Sequence, residues 1–139
     1  GIEVADSLDE IEDHKFDFIN TEQVFEHITK PLETLNDLCR TLKEGGVIRI
    51  SVPNGRKTLK SLTRPGWMAS RDALHPLEHI NCFTHSTLKR LGKGAGLSFI
   101  ERPFPIMVES REESLLNLFT APRDRFKRKG TALYFRKGI

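Results

Sequence analysis

The chain has 139 residues, 37% of them hydrophobic and 29% charged, which fits one soluble domain with a packed core. Its 22 basic and 19 acidic residues leave a formal charge of +3, too small to imply a nucleic-acid partner by itself. Two distant cysteines, Cys39 and Cys82, show no metal spacing and fit free thiols in a reduced, cytoplasmic setting. No apolar run approaches the roughly 20 residues of a membrane span, and the acidic start GIEVADSLDE has no signal-peptide pattern.

In chain order, Ile2–Ala5 reads as the end of a strand. Ser7 and Glu10 have the capping-box spacing, which predicts a short helix over Leu8–Asp13. Phe16, Phe18 and Ile19 make a short buried strand bounded by polar Asn20 and Thr21. The period then changes: Leu32, Leu35, Leu38, Cys39 and Leu42 share a helical face over Pro31–Glu44. Pro31 suits the first turn of that helix and Gly45 its end. Val47–Val52 alternates as a strand, stopped by Pro53-Asn54-Gly55.

Residues 55–78 are basic, hold the sole Trp, and read as a loop or helical insert over a site. Thr84 can cap a helix running to Ala95, with Gly92 and Gly94 weakening it by roughly 1 kcal/mol each relative to Ala. Leu97–Glu101 is a strand. Ser110 with Glu113 opens a further helix carrying Leu115, Leu116, Leu118 and Phe119. RDRFKRKG is a basic turn, and Thr131–Arg136 a last strand.

Two segments carry a family resemblance. FDFINTEQVFEHITKPLETLNDLCRTLKEGGVIRISVPN, residues 16–54, resembles the second half of a class I S-adenosylmethionine-dependent methyltransferase of the type 11/type 23 kind. HINCFTHSTLKRLGKGAGL, residues 79–97, is similar to a later segment of the same family. The resemblance implies an α/β, partial Rossmann-like fold with a half-sheet of strands 4-5-7-6 and flanking helices. It implies a single N-terminally truncated domain over 1–139. Residues 1–15 are then a remnant of the strand 3 region, 16–54 strand 4, helix and strand 5, 55–78 an insert, and 79–139 the C-terminal α/β part. The family's glycine-rich cofactor loop and ribose-binding acid have no counterpart in this sequence.

The same resemblance distributes roles. Asp6, Asn20, Thr21, Glu22 and Gln23 are the expected cofactor-binding residues, with S-adenosylmethionine as cofactor of the intact parent and weak or no binding by this chain. A polar turn is the competing reading of residues 20–23. Asn54, Trp67, His79 and Asn81 are expected beside the methyl acceptor. His79 is the catalytic candidate, because an imidazole near neutrality can take an acceptor's proton; a turn-stabilising His is the alternative. Glu26-His27 matches the family's acidic-His pair and reads as a structural pair ordering its turn. No metal is expected. In those relatives that hold a divalent metal on this turn the position of Gln23 is an acid, and here it is a neutral amide, with His75 and His79 as the remaining donors.

Three functions are weighed. The first is methyl transfer to a small-molecule or saccharide-type acceptor. The second is a non-catalytic half-domain or interaction module that does not bind the cofactor. The third is a basic nucleic-acid binder, which would need the basic residues at 56–64 and 123–129 on one face. No membrane partner is expected. A homodimer through the exposed strand 4 edge is expected, because that strand is short, apolar and poorly protected.

Overall fold

The computed structural model describes residues 1–68, 74–75, 77–101 and 130–138. Four strands form one sheet: β1 (Phe16–Glu22), β2 (Leu42–Pro53), β3 (Leu97–Ile100) and β4 (Gly130–Lys137), in the order β1-β2-β4-β3. β1 and β2 are parallel; β4 is antiparallel to both β2 and β3. This is the half-sheet expected from the sequence. Among the described residues three α-helices accompany it: α1 (Pro31–Thr41), α2 (Gly55–Leu62) and α3 (His85–Gly94). The Ser110 helix and the basic turn at 123–129 lie outside the described residues.

Alternation along β2 builds the core. Ile48, Ile50 and Val52 are fully buried, and Ile48 and Ile50 face Phe135 and Leu133 of β4 in register. Leu35 of α1, Leu88 of α3 and Leu97 of β3 close over them. Burying each such side chain contributes about 1.5–3 kcal/mol relative to exposure, so the pattern of β2 fixes which sheet face the helices cover.

β1 runs on to Glu22 rather than ending at Ile19, with Phe18 44% exposed, and four further expectations are corrected. α1 stops at Thr41 rather than Glu44: Leu42 is already extended, pairs with Phe16 and is 0% exposed. Burial against the sheet outweighs one more helical turn. Gly45 is accordingly not a helix end. Two steps along β1, Phe16 to Phe18, face five along β2, Leu42 to Val47, and Gly45 with φ +74° lies inside that bulge. Ile2–Ala5 forms no strand, and the Leu8–Asp13 helix shrinks to a 3-10 turn over Leu8–Glu10.

Residues 55–62 of the insert fold into α2, capped by the Asn54 side chain, which accepts from Arg56 N–H. Its first residue must be glycine. A Cβ on Gly55 would lie 2.5 Å from the Phe83 carbonyl oxygen and 2.7 Å from Cys82 Sγ, while Gly55 N–H donates to that same carbonyl. α2 and the start of α3 are thereby tied together near the carboxyl end of β2.

Candidate active site

Ligands of open α/β sheets bind beyond the carboxyl ends of the strands. β1 ends in Asn20, Thr21 and Glu22, and the chain turns at Gln23, whose φ of +55° is left-handed. Gln23 N–H donates to the Ser51 carbonyl at 2.8 Å, which pins the turn to β2. Thr21 is buried, and its hydroxyl donates to the Arg49 carbonyl at 3.2 Å. Asn20 and Glu22 point the other way, toward Arg49. Arg49 Nη1 donates to Asn20 Oδ1 at 2.7 Å and also to Glu22 Oε2. Ser51 Oγ donates to Glu22 Oε1 at 2.8 Å. The Arg49 guanidinium, then the Ser51 hydroxyl, hold the Glu22 carboxyl below its ordinary range. Asp6 is exposed, with its N–H on Glu10 Oε2.

A second group assembles just after this turn. Phe25–His27 is a 3-10 turn anchored by fully buried Phe25. Residues 78–81 are strapped across it. Asn81 N–H donates to the Glu26 carbonyl at 3.0 Å, and its side-chain amide donates to the carbonyls of Phe25 and Ile28. His27 Nδ1–H donates to the Glu78 carbonyl at 2.6 Å. These bonds set the His79 ring edge-on to His27, with centroids 4.9 Å apart. Glu26 is 1% exposed, and its Oε1 lies 3.9 Å from His27 Nε2. Donor atoms of Glu26, His27 and His79 all lie within 4.8 Å of one another.

Asn54 joins a different set. It lines an open pocket of about 480 Å³ with Arg56, Thr84, His85 and Ser86, where the starts of α2 and α3 meet. Trp67 N–H donates to the Arg64 carbonyl, its indole Nε1 is shielded from solvent, and neighbouring Met68 is 81% exposed.

A family model described as "Methyltransferase domain" matches residues 3–102, most of the chain. The chain belongs to that family. Solved structures agree on the fold of this methyltransferase domain. A 1,6-didemethyltoxoflavin-N1-methyltransferase from Burkholderia thailandensis, solved with 1,6-didemethyltoxoflavin and S-adenosylhomocysteine, is similar at TM-score 0.59 and 16% identity; the match covers 98% of this chain and 50% of that one. A SAM-dependent methyltransferase from Archaeoglobus fulgidus is similar at 0.53 and 16%, over 94% and 63%. An S-adenosylmethionine-dependent methyltransferase from Mesorhizobium loti is similar at 0.56 and 13%, over 94% and 67%. The chain thus spans about half to two-thirds of the length of the structures it matches. No curated protein matches it.

In this methyltransferase domain the described residues fit S-adenosylmethionine only in part. The β1 turn offers a wall at the right end of the sheet. The side chains of Asn20 and Glu22 are already paired with Arg49, and Asp6 stands in solvent. A cofactor held here would need further donors than these.

Three features of the site escape a sequence reading built on residues 20–23 and 79–81. Arg49 is one, although an arginine inside the apolar alternation VIRIS signals an acid or amide on the neighbouring strand. The burial of Glu26 is another: it follows from Phe25 entering the core, and no local pattern announces it. Arg56 and His85 come together only because Gly55 lets two helix starts meet.

Proposed function

We propose that this chain is the acceptor-side part of a methyltransferase domain that acts on a small-molecule or saccharide-type acceptor. The observation that carries this reading is the strapping of residues 78–81 across the turn that follows β1. It sets His79 beside the end of the sheet where the family's chemistry takes place. S-adenosylmethionine is the methyl donor of the intact protein. When bound, it supplies an electrophilic methyl group on a sulfonium, so the protein has mainly to align donor and acceptor and to exclude water.

The residues divide that work. The Asn20–Gln23 turn, with Asp6 upstream, borders the donor. Thr21 is anchored through the Arg49 carbonyl, which keeps the turn rigid. Asn54, Trp67 and Asn81 border the acceptor, and Asn81 does so by fixing the backbone rather than by touching the ligand, since its amide serves the Phe25 and Ile28 carbonyls. His79 is the catalytic residue and takes the proton of a weakly acidic acceptor.

The pairing of Asn20 and Glu22 with Arg49 favours a second reading, a half-domain that binds no cofactor. Calorimetry and turnover separate the two. This chain alone binds S-adenosylhomocysteine weakly or not at all under both. In a version extended upstream through a glycine-rich loop, the first reading expects cofactor binding, weakened by Thr21→Arg. It also expects His79→Ala to lower turnover by roughly 10²-fold while cofactor affinity stays near the parent's. Unchanged turnover in a folded His79→Ala protein returns His79 to a turn-stabilising role. An extended version with no cofactor affinity establishes the half-domain.

A further inference from the structure

We propose that Glu26, His27 and His79 form a binding site for a divalent transition-metal ion of borderline softness, such as Zn²⁺. Their donor atoms converge within 4.8 Å, and two features of the cluster point to a cation between them.

The first is Glu26. Its side chain is 1% exposed, and among the described residues neither carboxylate oxygen has a hydrogen-bond partner. A buried carboxylate without donors is among the costliest arrangements a fold can hold, and buried charges are normally paired or bound to metal. The second is the tautomer of His27. A carbonyl can only accept, so the 2.6 Å contact with the Glu78 carbonyl puts a proton on Nδ1. In the neutral ring Nε2 then carries a lone pair, and it faces Glu26 Oε1 at 3.9 Å. Two acceptors confront each other across a gap too long for a hydrogen bond. A positive centre between them resolves the conflict.

The dimensions suit a metal. A tetrahedral ion with bonds of about 2.1 Å holds its donors about 3.4 Å apart, so modest side-chain rotation closes the cluster around one. Two imidazoles and a carboxylate are a donor set for borderline divalent ions, whereas Mg²⁺ and Ca²⁺ prefer oxygen alone. The Glu78 carbonyl behind His27 is the outer partner that a ligating imidazole ordinarily has. Asn81 fixes the backbone on either side, bonding Glu26 through its main chain and Phe25 and Ile28 through its amide. This set does without an acid at position 23. Three protein donors leave a coordination position open. With an ion bound, His79 acts through it and no longer as a base.

The test is a titration of the chelator-stripped chain with Co²⁺, read by visible absorption, followed by Zn²⁺ as competitor. A saturable band complete at one equivalent and displaced by Zn²⁺ is expected. Glu26→Gln and His79→Ala should each weaken Co²⁺ binding by roughly 10-fold or more, and His14→Ala, before the opposite end of β1, should not. Because a change at buried Glu26 can disturb folding, the unaltered chain supplies a second readout. Zn²⁺ should shift the ring resonances of His27 and His79 in nuclear magnetic resonance spectra and leave those of His14 in place. No band, a band of undiminished affinity in folded Glu26→Gln, or ring shifts confined to other histidines would overturn the site.

Discussion

Arg49 shows how one side chain can fix a turn. It sits on β2 opposite Asn20, reaches Asn20 and Glu22 together, and so ties the carboxyl end of β1 to its neighbour. The charge effect has a definite sign. Glu22 is held below its ordinary value of 4.5, so the pair's contribution is present above that value and is lost as pH falls through the depressed one. Glu22 is half exposed, so the contribution is at most about 1 kcal/mol. Thermal unfolding of the parent and Glu22→Gln should differ by a few degrees at neutral pH and converge in acid. A difference that grows on acidification would mean the carboxylate is not what Arg49 stabilises. The polar stretch was legible in the sequence but its conformation was not: Asn20, Thr21 and Glu22 continue β1 in register with β2, and only Gln23 turns. Its internal pairing was not legible either, because Arg49 is distant in the chain and meets the stretch only through strand register.

Elements were easier to read than their limits. Every strand and helix of the described residues other than α2 follows from apolar spacing, but α1 ends early because Leu42 is worth more inside the sheet than in another helical turn. Gly92 and Gly94 make the same point within one helix. Both weaken α3 by propensity, and the structure separates them. A Cβ on Gly92 would lie 2.4 Å from the Phe135 ring, which is fully buried and cannot retreat; a Cβ on Gly94 meets only Leu32 Cδ1 at 3.3 Å, at the tip of a 41% exposed side chain. Gly92→Ala gains up to about 1 kcal/mol of helix propensity but forces overpacking that costs about 1–3, so it should destabilise by about 1 kcal/mol. Gly94→Ala should be neutral or stabilise by up to about 1 kcal/mol. Chemical denaturation of both variants checks this, and the same sign in both would show that Phe135 can give way.

At the scale of the molecule, the order β1-β2-β4-β3 puts β1 at an edge of the sheet formed by the described residues. Its length is seven residues, it contains no proline, and Phe18 is 44% exposed on it. Its one charged side chain before the carboxyl end, Asp17, is engaged by Lys43 Nζ at 2.8 Å and so guards the edge less than a bare charge would. Strands of this kind accept another strand, because each offers a row of backbone donors and acceptors. A second copy is the simplest donor, since a twofold axis across the edge lets β1 pair antiparallel with its equivalent through one self-complementary patch. A homodimer joined along β1 is the expected outcome. Light scattering at micromolar concentration should give twice the chain mass of 15.9 kDa. Phe18→Lys, which plants a charge on β1, should return the monomer with its circular dichroism intact. A parent that stays monomeric, or a folded Phe18→Lys protein that still dimerises, would place the contact elsewhere and leave β1 as an edge protected by other means.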